Sequence, residues 1–168
     1  MDITFAIVTC SDTRTVHEDE AGAALAQRID ENGWRSVSHV VVQDDARVIS
    51  DAIRRATDEI GADIVITCGG TGLSPRDVTP EATEAVCERD VPGIAEAVRA
   101  YSLAKTRRAM LSRARCMQRM VRTPEGSYNG KLALVVNFPG STKAVIECWE
   151  AIADQLEHAM KMTAGGGH

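Results

Sequence analysis

The side chains best suited to chemistry lie in three turns rich in oxygen and glycine: Ser11-Asp12, Asp44-Asp45 and Gly69-Gly70-Thr71-Gly72, the last followed by Arg76-Asp77. Each turn ends a short apolar run. Residues without a Cβ allow a loop to take positive φ angles and to bring its amides close to a ligand. A polyanion is the natural guest where a helix starts just beyond. Asp77 is an unusual neighbour for an anion, and is tolerable there if it meets Arg76 or a bound cation such as Mg2+. Read more plainly, the glycines make a tight turn after a strand. Two familiar phosphate loops are excluded, because no Lys follows the glycines as in GxxxxGK[ST] and Pro75 stands where GxGxxG needs its last glycine.

The elements that must hold these turns can be read from hydrophobic spacing. Ile3 to Cys10, Val37 to Val42 and Ile64 to Ile66 are apolar runs, and the third shows no alternation, which suits the centre of a parallel sheet. Helices are expected over Asp19 to Asn32, with Gly22 weakening it, and over Arg47 to Ile60, where Val48, Ile49, Ala52, Ile53, Ala56 and Ile60 recur at helical spacing. Asp44 or Asp45 must cap the second. Thr79 is expected to cap a helix from Pro80 to Glu88, and Val91-Pro92-Gly93 to begin another. The βαβαβα order predicts an α/β domain, a three-layer doubly wound and mostly parallel sheet, with its ligand at the carboxyl ends of the strands.

The second half adds fewer signals. The arginines from Arg107 to Arg122 read chiefly as a solvated face, though a guanidinium fork also suits phosphate. Arg122 to Tyr128 reads as a long hairpin loop and Asn129-Gly130 as a strong turn signal before a strand at Leu132 to Val136. Pro139-Gly140-Ser141 makes a second glycine turn, with Ser141 as cap and Lys143 able to reach an anion. Val145, Trp149, Ile152, Leu156 and Met160 then form a helical stripe, read as core or subunit interface.

Together these residues resemble the MogA/MoaB family of molybdenum cofactor biosynthesis, the stand-alone MoaB type above all. The likeness rests on Gly69-Gly70-Thr71-Gly72, on Arg76-Asp77-Val78-Thr79-Pro80-Glu81-Ala82, on Ser11-Asp12, Asp44-Asp45 and Ser112-Arg113, and on Asn137 to Ala144. It implies a MogA-like fold, a homotrimer or homohexamer, and Mg-ATP-dependent adenylylation of molybdopterin with release of pyrophosphate. It further implies catalytic and Mg2+-organising roles for Asp44 and Asp77. Substrate contacts are implied for Ser11, Asp12, Gly69, Gly70, Thr71, Gly72, Arg76, Ser112, Arg113, Pro139, Gly140, Ser141 and Lys143. Other molybdenum cofactor biosynthesis proteins are expected partners. The segment Arg115-Cys116-Met117 departs from the small residues and glycine usual after the Ser-Arg pair. That departure motivates a second reading, a carrier or sensor that binds molybdopterin without catalysis. A third, a nucleotide pyrophosphatase of related fold, would be expected to show GG-Leu-Gly and paired aspartates, where this chain has Thr71 and a single Asp77.

Bulk properties set the frame. A chain of 168 residues fits one domain, expected over 1–162 with a disordered tail at 163–168, and can bury roughly 70% of its unfolded surface. A net charge of −5 speaks against a nucleic-acid binder, whose usual footprint is basic. No run approaches the roughly 20 apolar residues of a membrane helix and no signal sequence is apparent, so a cytoplasmic protein is expected. Five cysteines without CxxC spacing read as free thiols, and the four histidines lack ligand spacing.

Overall fold

The computed structural model describes residues 1–166; Gly167 and His168, part of the expected tail, lie outside the described residues. A six-stranded sheet runs in the order β2-β1-β3-β6-β5-β4, built from β1 (Thr4–Cys10), β2 (Arg35–Val42), β3 (Ile64–Cys68), β4 (Arg89–Asp90), β5 (Cys116–Arg122) and β6 (Tyr128–Phe138). The first three strands and β6 are parallel, and β5 runs antiparallel between β6 and β4. Helices cover both faces. On one side α1 (Glu20–Glu31), α4 (Pro92–Leu103) and α5 (Thr142–Thr163) bury Leu25, Val98 and Trp149 against Phe5, Ile66 and Val136. On the other, α2 (Ala46–Arg54) and α3 (Thr79–Glu84) bury Ile49, Ile53 and Ala82 against Ala6, Val8 and Val65. The expected three layers are present, with alternate residues of β1 facing opposite cores as strand geometry requires.

Register explains where the turns gather. Cys10 pairs with Val42, and Cys68 with Phe138, so the parallel strands end at one edge of the sheet. Because β5 is antiparallel and begins at Cys116 opposite Val136, the segment leading into it arrives at that same edge. The turn after β1, the aspartates after β2, the glycines after β3, Ser112 and Pro139-Gly140 are thereby brought together.

Several local expectations are corrected. Thr79 does not cap α3: it is the first helical residue, fully buried, and its hydroxyl donates to the Gly69 carbonyl at 2.8 Å. The helix ends at Glu84 instead of Glu88. The helix expected to Ile60 is α-helical only to Arg54 and widens into a π-turn over Arg55–Glu59, while Val48 and Ile60 stay largely exposed. Asn129-Gly130 is not the hairpin turn. The chain reverses at Thr123 to Ser127, and the Asn-Gly pair sits inside β6, where Met120 opposes Leu132 but Arg122 opposes Tyr128. Two additional residues on β6 are thus accommodated as a bulge, which uses the φ of +91° at Gly130. Arg119 belongs to no solvated face. At 4% exposure it donates to the Val86 carbonyl at 2.6 Å and to Thr57 at 2.9 Å, and it pairs with Asp58, tying β5 to the π-turn. The stripe from Val145 to Met160 is wholly buried within this chain, so it is core and offers no surface to a second subunit. At the start of the expected tail, Thr163 closes α5, and the amides of Gly165 and Gly166 donate to Met162 and Lys161 carbonyls.

Gly22 has a local reason. A Cβ there would lie 2.2 Å from Asp19 Oδ2 and 2.3 Å from His39 Nε2. Its absence lets the buried Asp19 carboxylate cap α1, accept from Thr9 Oγ1 and meet His39 at 2.7 Å.

Behind the glycine turn lies a buried polar chain. Asn137, 1% exposed, donates through Nδ2 to Thr67 Oγ1 and Thr83 Oγ1, both at 2.9 Å, and accepts from the Arg115 amide at 3.1 Å. Thr83 donates to the Thr79 carbonyl at 2.9 Å. Replacing one member leaves partners unsatisfied in the core, which costs more than the net worth of the bonds. Asn137→Ala should therefore lower unfolding free energy by roughly 2–4 kcal/mol in urea titration; a loss below about 1 kcal/mol would mean the network adds little.

Candidate functional site

The strand ends enclose a cleft of about 630 Å³. Its floor is the glycine turn, where Gly69 and Gly70 take φ values of +104° and +69°, in the region that favours glycine. A Cβ on Gly69 would approach the Cys10 carbonyl to 2.7 Å, and one on Gly70 would approach Thr79 Oγ1 to 2.2 Å. The amides of Gly70, Thr71 and Gly72 donate no hydrogen bond among the described residues, although Thr71 is only 5% exposed. Three successive unused donors in such a loop have the makings of an anion-binding nest.

Acidic groups stand beside this nest. Asp45, not Asp44, caps α2, accepting from the Arg47 and Val48 amides at 2.9 and 3.0 Å. That leaves the Asp44 carboxylate free at the cleft. Burial pushes its pKa up, and the nearby charges of Asp12 and Asp77 add to the shift, against smaller opposing effects from the backbone bond with Asp12 and from Arg76. Asp12 Oδ1 accepts from the Asp44 amide at 3.0 Å while Oδ2 pairs with Arg76 at 2.5 Å, and these contacts, Arg76 first, lower its pKa. Asp77 Oδ2 accepts from the Ser74 amide at 3.0 Å. Among the described residues no three His, Cys, Asp or Glu form a ready-made metal cage. The donor set nevertheless suits Mg2+, which is ordinarily held by one or two carboxylates together with substrate phosphates and water.

Most of the expected site residues meet here: Ser11, Asp12, Asp44, Asp77 and Ser112 line the cleft, as do the glycines from Gly69 to Gly72, Thr71 with them, and Pro139-Gly140. Four do not line it. Arg113 is turned away to clamp the glycine loop, donating to the Gly72 carbonyl at 2.8 Å and the Asp77 carbonyl at 2.6 Å and pairing with Glu81. Arg76 acts through Asp12. Ser141 caps α5 through the Ala144 amide, as expected, and Lys143 is 88% exposed with Glu147 as its ion partner at 3.9 Å. The atypical Arg115-Cys116-Met117 also leaves the wall: Arg115 pairs with Glu84 and Asp90, while Cys116 and Met117 pack into the two cores.

Sequence reasoning missed the wall opposite. Arg99, Ser102 and Thr106 come from α4 and its C-terminal turn, Arg108 and Leu111 from the 3-10 turn Arg107–Leu111, and Glu147 and Cys148 from α5. Arg99 holds the Ser112 segment through the Ala114 carbonyl at 2.8 Å. The available signal was the i, i+3 spacing of Arg99 and Ser102 on one helix face. All five cysteines are free and buried, and burial pushes the cleft thiols Cys10 and Cys148 up to about 12, so neither is a thiolate at neutral pH.

Comparison with known proteins agrees with this architecture. Residues 6–158 match the model of a probable molybdopterin-binding domain. The chain is 30% identical over 163 residues to a molybdopterin adenylyltransferase of Helicobacter pylori, covering 95% of this chain and 86% of that protein. It is 35% identical over the same length to the Drosophila melanogaster molybdenum cofactor synthesis protein cinnamon, of which it spans 25%. The solved structure of the Mog protein of molybdopterin biosynthesis from Mycobacterium ulcerans superposes with a TM-score of 0.82 at 34% identity, covering 98% and 99% of the two chains. The fold and the matched model thus place the chain among α/β domains described as probable molybdopterin-binding domains. The chain belongs to the MogA/MoaB family and, with it, to molybdenum cofactor biosynthesis. Among the described residues, no helix is long and apolar enough to cross a membrane.

The raised Asp44 pKa has a testable sign. A carboxylic acid whose folded pKa exceeds its unfolded value stabilises the fold below the unfolded pKa and loses that contribution as pH rises through the folded one. Ionised Asp44 is therefore a burden on the free protein at neutral pH. Without Mg2+, Asp44→Asn should melt at or above the wild-type temperature at pH 7, and this advantage should vanish toward pH 3.5. A lower melting temperature at pH 7 would show that Asp44 is structurally required.

Proposed function

We propose that this protein transfers AMP from Mg-ATP to the terminal phosphate of molybdopterin, giving adenylyl-molybdopterin and pyrophosphate. The observation carrying the proposal is the set of three unused amides in a glycine turn that lines the cleft beside three carboxylates, Asp12, Asp44 and Asp77, of which only Asp12 has a guanidinium partner among the described residues. The amides suit phosphate oxygens. The carboxylates would repel those oxygens unless a cation lay between them.

In this reading Asp44 and Asp77 hold Mg2+, and Asp12 with Arg76 fixes the turn beside them. When bound, Mg2+ would draw charge from the phosphate oxygens and make pyrophosphate a better leaving group. The amides of Gly70, Thr71 and Gly72 hold the acceptor phosphate and keep it in line with the α-phosphorus. Arg14, whose Nη1 donates to the Gly140 carbonyl at 3.2 Å, and Arg108 offer guanidinium groups for phosphate at the cleft. Ser112 and the wall held by Arg99 position the pterin. Little covalent work falls to the chain, whose contribution is orientation and fixed charge. The active unit is proposed to be a homotrimer, or a homohexamer of paired trimers, and other cofactor-biosynthesis proteins are proposed partners. A non-catalytic pterin carrier is the second reading; the segment that motivated it lies outside the cleft wall, and Asp44 and Asp77 both line the cleft, which favours the catalytic reading.

Asp77→Asn keeps the size of the side chain and an acceptor for the Ser74 amide while removing the charge. Single-turnover AMP transfer followed across a Mg2+ titration should fall at least about a hundredfold, equivalent to roughly 3 kcal/mol, with molybdopterin binding retained. Asp44→Asn should behave likewise. Near wild-type rates in both variants would remove the catalytic assignment, and molybdopterin binding by the wild type with no AMP transfer would favour the carrier.

A further inference from the structure

One cleft residue is used neither by the fold nor by the proposed transfer. Glu147 shares a face of α5 with Ala144 and Cys148, at helical spacings of three and four residues, and all three line the cleft. It is 9% exposed, yet its carboxylate accepts no hydrogen bond among the described residues. The one cation within 4 Å of it among those residues is Lys143, at 3.9 Å, too far for a hydrogen bond and carried on a side chain 88% exposed. Its oxygens are not sealed from solvent and face the water of the cleft, so a ligand that displaces this water must supply donors in its place or leave the carboxylate unpaired.

Position indicates what those donors are. The other acidic residues lining the cleft, Asp12, Asp44 and Asp77, stand at its phosphate end beside the glycine turn. Glu147 stands six residues beyond the Ser141 cap, about 9 Å along the helix axis from that end. A ligand whose phosphate lies on the glycine turn would bring the far edge of its ring system there. The pyrimidine edge of a pterin presents two adjacent donors, the ring N3–H and the 2-amino group, spaced to meet both oxygens of one carboxylate. The amino group of adenine is instead flanked by ring acceptors, which a carboxylate would repel.

We propose that Glu147 recognises the 2-amino-4-oxo edge of the pterin by this paired hydrogen bond, and thereby sets which heterocycle the α5 wall accepts. The proposal rests on the adenylylation reading, in which the pterin phosphate lies on the glycine turn. Nucleotide then lies away from this wall, and Glu147 contributes to pterin affinity without contributing to nucleotide affinity. A site built around hydrogen bonds to a ligand discriminates strongly against the analogue that lacks them, because its own polar group is then left unpaired.

The test compares the wild type with Glu147→Gln and Glu147→Ala. Fluorescence titration should show the Kd for molybdopterin rising at least about tenfold in each variant, with the Kd for Mg-ATP within about twofold and no fall in melting temperature. Competition with 6-hydroxymethylpterin monophosphate and with its lumazine counterpart, whose 2-amino group is replaced by oxygen, gives a readout that packing alone would not move. The wild type should prefer the pterin by at least about tenfold, and Glu147→Gln should lose most of that preference. If the wild type transfers AMP to molybdopterin while Glu147→Gln keeps both its affinity and its preference, the assignment of Glu147 is overturned and the proposed function stands. If the wild type neither binds molybdopterin nor transfers AMP to it, the proposed function fails first and this inference falls with it.

Discussion

The architecture of the cleft depends on a contact between backbones. A Cβ on Gly140 would lie 3.4 Å from Gly69 Cα, and one on Gly69 would lie 2.7 Å from the Cys10 carbonyl. The ends of β1, β3 and β6 therefore meet with no side chain between them. The geometry is affordable only with glycine, since at Gly69 and Gly70 the chain adopts φ angles that other residues rarely reach. It is also anchored from behind. Thr79 holds the Gly69 carbonyl, Thr83 holds Thr79, and Asn137 holds Thr83 together with β3 and the entry to β5. Each bond adds little by itself, but a buried donor or acceptor left unpaired is expensive, so the network selects one loop conformation over its neighbours. Arg113 completes the anchoring from the solvent side through the Gly72 and Asp77 carbonyls.

This anchoring explains how the same residue types could be assigned to the right place and the wrong task. The runs of β1 to β3, the glycine turn, and Asp44 and Asp77 at the strand ends were legible because hydrophobic period and loop chemistry are local properties. Thr79, Arg113 and Arg119 were misread because their partners are distant in sequence. A threonine before Pro80 looks like a cap until Gly69 is known to lie beside it, and a cluster of arginines looks solvated until Asp58, Glu81 and Glu84 are brought alongside. The Asn-Gly pair failed for another reason. Its preference for positive φ is shared by hairpin turns and by bulges, and the register of β5 against β6 decides between them.

The wall opposite the glycine turn was the least legible part. It is assembled from α4, the turn after it and α5, and none of these carries a compact motif. Helix faces that line a cleft differ from faces that line a core only in an occasional polar residue, as with Ser102 among Val98 and Leu103, or Glu147 among Val145 and Trp149. Only tertiary packing reveals that such a residue opens onto a cleft and not into a core, where a buried polar group would need a partner of its own.

The two ends of the cleft solve opposite electrostatic problems. At the phosphate end, donors are plentiful in the loop amides, and two carboxylates, Asp44 and Asp77, have no ion partner among the described residues: burial and the charges of Asp12 and Asp77 all act to raise the pKa of Asp44. Such an arrangement works against the free protein, and a divalent cation arriving with phosphate would relieve it. At the α5 end a single carboxylate has few donors near it, and a neutral ligand edge that supplies N–H groups would satisfy it without any metal. A phosphorylated heterocycle with paired ring donors meets both demands in one molecule, whereas an adenine nucleotide meets only the first. The separation of these demands along the cleft is thus a physical basis for telling pterin from adenine nucleotide in a site that, in the proposed reaction, must hold both.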